Sequence, residues 1–157
     1  KFTLALILCW WPFMVVHELG HIVSGTLSGA TIDAVELRPW RLSHTMLSGS
    51  RWPLADVWAG PIVGCLLPLL LLAIPLGKAQ VATAFFAGFC LIANGAYIGL
   101  GWIGPYGDTA ELLRHGAAVW QMVAFGLVCV SGGLGIWYWL DRRLNPLPVA
   151  VTQEAST

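Results

Sequence analysis

Charge is what this sequence has least of: eight Lys or Arg and eight Asp or Glu in 157 residues, 10% in all. A soluble domain of that length carries about a quarter charged residues, so the chain cannot cover a water-facing surface. No basic run exists beyond Asp141-Arg142-Arg143, and the formal net charge is zero. With no electrostatic footprint for nucleic acid, no nucleic-acid partner is expected. No two cysteines stand as CxxC. Cys9, Cys65, Cys90 and Cys129 fall one to each long apolar stretch, where each is expected as a small buried hydrophobe, and the redox compartment stays open. A small-residue cleavage pattern is also missing ahead of His17. Lys1 and the apolar run to Phe13 resemble a signal peptide, but the run outlasts the usual h-region and is read as the first half of a transmembrane helix.

What is there instead is apolar. Hydrophobic residues make up 57% of the chain, and mean hydropathy is +0.75. Four stretches reach the roughly 20 residues that a helix needs to cross a hydrocarbon core: about Phe2 to Leu27, Val57 to Leu76, Val81 to Ile103 and Ala117 to Leu140. Pro12, Pro61, Pro68 and Pro75 are tolerated in packed membrane helices, where neighbours re-satisfy the backbone. The expected architecture is all-α and integral to a membrane, multi-pass, with residues 1–140 as a transmembrane unit and 141–157 as a polar tail. Which membrane stays open.

Between the first two spans, Thr31 to Leu37 alternates apolar and polar side chains as a half-buried strand does, and Ser48-Gly49-Ser50 supplies turn chemistry. A short β-hairpin at the membrane interface is expected there. After the third span comes the turn-rich run Gly104 to Thr109, from which Asp108 and Thr109 are expected to cap a short helix holding Glu111 to Leu113. Trp52, Trp58, Trp102, Tyr106, Trp137, Tyr138 and Trp139 stand near span ends, as an aromatic belt would. Orientation is a tie: Arg38, Arg41, Arg51 and Arg114 on one side face Lys1, Lys78, Arg142 and Arg143 on the other.

Chemistry concentrates in His17-Glu18-Leu19-Gly20-His21. His17 and His21, four apart, stand one above the other on one helix face. Both imidazoles can reach one metal ion, with Glu18 beside it as a base for water. Ionisable groups inside a membrane helix cost about 2.5–3.5 kcal/mol each on insertion scales, so three within five positions point to function. Zinc needs a third protein ligand. The first and third spans end on the same membrane face, which makes Asp108 the best-placed candidate, ahead of Glu111, His115 and His44. Ser24, Gly25, Ser28 and Gly29, like Gly126, Gly132, Gly133 and Gly135, are expected as small residues for close helix packing.

These residues resemble the site-2 protease family of zinc intramembrane metalloproteases: HELGH on a transmembrane helix, then, two helices later, an aspartate in a glycine-containing loop. Ala59-Gly60-Pro61 is similar to a pattern often found early in that family's second core helix, and the polar segment after the first helix resembles its membrane-associated strands. The resemblance implies Zn2+, one per chain, held by His17, His21 and Asp108, and Glu18 as general base. It also implies cleavage of peptide bonds in transmembrane protein substrates within the lipid bilayer. Two departures stand out. The family's Asp-Gly is Asp108-Thr109 here, and its adjacent Asn and Pro are Asn94 and Pro105, far apart. Asn94 is a candidate for holding substrate backbone. The alternative is a non-catalytic zinc-binding membrane protein with a structural or partner-regulating role. A metal or proton transporter ranks last, because the second and fourth spans have almost no ionisable residues. Substrate choice is expected to lie in a regulatory membrane partner, in the hairpin, or in the instability of the substrate helix.

Overall fold

The computed structural model describes residues 2–146. Helix α1 (Phe2–Ser28) keeps Pro12 inside it and stops at Gly29, whose φ of +77° only glycine adopts cheaply. Ala30 N–H then donates to the Gly25 carbonyl and Gly29 N–H to that of Thr26, the two bonds of a Schellman stop. Strand β1 (Thr31–Glu36) follows and pairs antiparallel with β2 (His44–Ser48), Thr31 opposite Ser48 and Glu36 opposite His44. The register shifts between Ile32 and Ala34, so β1 is mostly exposed rather than half-buried as its alternation suggests. In β2 alternation holds.

The hairpin runs back along α1. Leu47 packs against Gly25, while near mid-helix the indole N–H groups of Trp10 and Trp11 donate to the Pro39 and Leu37 carbonyls at 3.0 and 3.1 Å. Arg38, two residues past the end of β1, holds the Glu36 carboxyl down at about 2 by a hydrogen-bonded ion pair.

Helix α2 (Pro53–Leu72) starts four residues earlier than hydropathy suggests. Pro53 suits a first helical turn because its missing N–H has no partner there anyway, and Asp56 favours the positive end of the helix dipole. Pro61 and Pro68 lie inside it. Pro75 does not, contrary to expectation: it follows the C-cap at Ala73, where proline commonly stands after a stop. A 3-10 turn, Gly77–Ala79, leads into α3 (Gln80–Leu100), and a second, Gly101–Ile103, follows it. The short α4 (Asp108–Arg114) and the long α5 (Val119–Leu144) complete the described chain. Helix α5 continues past Leu140 because Arg142 and Arg143 suit a helix C-terminus and lie over the rings of Tyr138 and Trp139. Residues 147–157 of the expected tail lie outside the described residues.

Four helices are long and apolar enough to cross a membrane. Helix α2 packs between α1 and α3, and α5 covers another side of α3. Leucines 8, 27, 66, 70 and 127 point outward, more than half exposed, an arrangement that lipid rather than water can cover. The chain is a multi-pass integral membrane protein. Trp58 and Trp137 depart from the aromatic belt: Trp58 packs edge-on against Phe125, and Trp137 stacks on Phe85 and donates to its carbonyl.

Candidate metal centre

His17 and His21 are both about 5% exposed. Each has its Nδ1 taken. His17 Nδ1–H donates to Asn94 Oδ1 at 2.7 Å, and the Asn94 amide is oriented for this by its own Nδ2 donating to the Cys90 carbonyl. His21 Nδ1–H donates to the backbone carbonyl of Asp56 at 2.8 Å. An acceptor on Nδ1 puts the ring proton there and leaves the Nε2 lone pair free as a ligand. Both Nε2 atoms face one point, 3.2 Å apart.

The third atom at that point is Asp108 Oδ2, 2.8 Å from His17 Nε2 and 3.5 Å from His21 Nε2. Asp108 is the first residue of α4, not its cap. The cap position is Gly107, with no side-chain capping bond and φ of +56°. Thr109 does not cap either: its hydroxyl bonds back to Tyr106. A Cβ on Gly107 would meet the Tyr97 hydroxyl at 2.7 Å, and that hydroxyl accepts the Asp108 N–H at 3.0 Å. The turn thus needs glycine to aim Asp108 inward.

The donor set suits zinc. Two imidazole nitrogens and a carboxylate oxygen are standard ligands, and bonds of about 2.0–2.1 Å in a tetrahedron place neighbouring ligand atoms roughly 3.3 Å apart. The three separations here bracket that value. Three protein ligands also leave a fourth position free, as catalytic sites require.

Among the described residues, His17, His21 and Asp108 are the group able to share an ion. Glu111 instead pairs with Arg114 and His115, and His44 lines a cavity of about 570 Å3 that reaches His17 and Asp108 between Phe13, Met14 and Tyr97. Glu18 is 1% exposed and accepts a hydrogen bond from Thr45 of β2 at 2.7 Å. Asn94 is fully buried, and both ends of its amide are engaged within the chain.

Sequence reasoning missed Asp56. It is 2% exposed, and its carboxylate accepts from Ser24 at 2.5 Å, from Ser28 at 2.7 Å and from Ser50. Ser24 and Ser28 are therefore polar ties between α1 and α2 rather than packing residues alone. The available signal was one acidic residue at the head of an apolar span, with hydroxyls four apart on the preceding helix.

The Peptidase M50B-like family model matches residues 4–98. That stretch includes His17, Glu18, His21, Asp56 and Asn94 and ends before Asp108. Comparison with curated proteins gave no match, and comparison with solved structures gave none.

Proposed function

The chain belongs to the Peptidase M50B-like family, and on that premise we propose that it is a zinc intramembrane metalloprotease of the site-2 type. Its substrates are transmembrane segments of other proteins, met in the lipid bilayer. The observation that carries the reading is the meeting of His17 Nε2, His21 Nε2 and Asp108 Oδ2, with a buried glutamate one residue from the first ligand.

In this reading His17, His21 and Asp108 hold the ion, Asn94 and the Asp56 carbonyl fix the two rings, and Glu18 handles protons. Zinc, when bound, supplies Lewis acidity to the scissile carbonyl and makes water a better acid. Glu18 takes a proton from the water that attacks the peptide carbon. It then gives that proton to the departing amine as the C–N bond breaks, which returns the carboxylate to its starting state. A helix hides its carbonyls in its own hydrogen bonds, so the substrate unwinds locally before the cavity beside His17 can receive it.

The test is Glu18→Gln in the full-length, detergent-solubilised protein with a transmembrane substrate. Cleavage is expected to fall at least about 10²-fold with zinc content unchanged. Zinc retained and cleavage unaffected would remove the catalytic reading and leave a structural or partner-regulating zinc site.

A further inference from the structure

A carboxylate buried in a membrane-spanning helix requires a hydrogen-bond donor. Among the described residues, the donor to Glu18 comes from outside the helices: Thr45 Oγ1, on β2, 2.7 Å from Glu18 Oε2. The hairpin is held in register with α1 at three levels. Trp10 and Trp11 hold the carbonyls of its loop, Thr45 meets Glu18, and Leu47 packs on Gly25. Thr45 and Leu47 share one face of β2, since strand side chains alternate. A slip of one residue would turn Thr45 away and bring His44 or Met46 toward the base. The hydroxyl engages one carboxylate oxygen, Oε2.

We propose that Thr45 is a positioning residue of the proteolytic site: its hydroxyl fixes the rotamer of Glu18 and so makes the seating of the hairpin a condition of catalysis. This rests on the protease reading. The Thr45 proton stays on Thr45 throughout, while Glu18 takes up and releases the proton of water. A glutamate turns about three side-chain bonds, and a carboxylate displaced by an ångström from its working position loses much of its rate.

Thr45→Val keeps the branched shape and removes the donor, whereas Thr45→Ser keeps the donor. Both would be compared with the wild type in detergent, using a transmembrane substrate and measuring kcat, KM, zinc content and Tm. Thr45→Val is expected to lower kcat about 10- to 100-fold with KM and zinc content unchanged, and to lower Tm because a buried carboxylate loses its donor. Thr45→Ser is expected to retain most of the wild-type kcat. Wild-type kcat in Thr45→Val overturns the proposal, and so does an equal loss in the serine variant, which would mark a packing role. If the wild type cleaves nothing and Glu18→Gln changes nothing, the protease reading itself fails.

Discussion

Each candidate ligand nitrogen in this protein is set by the bond its ring makes on the other side. For His17 that partner is a side-chain amide from α3, and for His21 a backbone carbonyl from α2. Two rings on one helix are thereby oriented by two different neighbours, and Asp108 arrives from a third element. In the proposed site, removing Asp108 leaves two ligands, too few for stable zinc binding. Asp108→Ala and His17→Ala are each expected to lower zinc from about one per chain to near zero, read by elemental analysis of the purified protein. Zinc retained in Asp108→Ala would show a different third ligand. Glu111 is ill placed to substitute, because it is already paired with Arg114 and His115.

At the scale of elements, the decisive contact is the crossing of α1 and α2. A Cβ on Gly20 would meet Gly60 Cα at 2.8 Å, and a Cβ on Gly60 would land on the His21 ring. The two backbones approach closely enough there for the Asp56 carbonyl to reach His21, and the Asp56 carboxylate clamps the same crossing through Ser24 and Ser28. Gly60→Ala is expected to displace the His21 ring and weaken zinc binding about 10- to 100-fold, the usual cost of disturbing a ligand's supporting shell. A competition titration with a chelator would measure it, and wild-type affinity would show that the ring has room to move.

Much of this was legible in the sequence. The spans, the hairpin after α1 and the candidate ligands could be read because apolar length, alternation and the i, i+4 pair are local patterns. What escaped depends on contacts across the fold. Asp56 looked like the polar end of a loop, because hydropathy counts its charge against a span and cannot see the three hydroxyls that receive it. Pro75 looked like part of a helix that stops at Leu72. Thr45 carried no signal, since nothing local marks a strand hydroxyl as the partner of a glutamate 27 positions earlier.

For the whole molecule, stability comes from close packing rather than from hiding oil from water, since lipid is as apolar as leucine. The seam between α3 and α5 shows this: a Cβ on Gly126 would meet the Gly95 carbonyl at 2.8 Å, and one on Gly133 the Gly88 carbonyl at 2.7 Å. The expected small-residue role holds for these two, while Gly135 has open space beside it. Gly126→Leu is expected to cost about 1–3 kcal/mol, as overpacking a filled core does. A lower Tm in detergent, with zinc content kept by the folded protein, is the expected reading. An unchanged Tm would mean that α5 is not held by this seam.

The 91 positions between His17 and Asp108 also set a timetable for the cell. At about 5–20 residues per second, a ribosome delivers the histidine pair roughly 5 to 18 s before the aspartate. For most of that interval α1 has its HELGH turn but neither Asn94 to orient His17 nor Asp108 to complete the proposed ligand set. The centre is therefore assembled by the arrival of α3 and α4 rather than by membrane insertion of α1. A nascent chain arrested after its second span would carry the complete motif and yet be an empty holster.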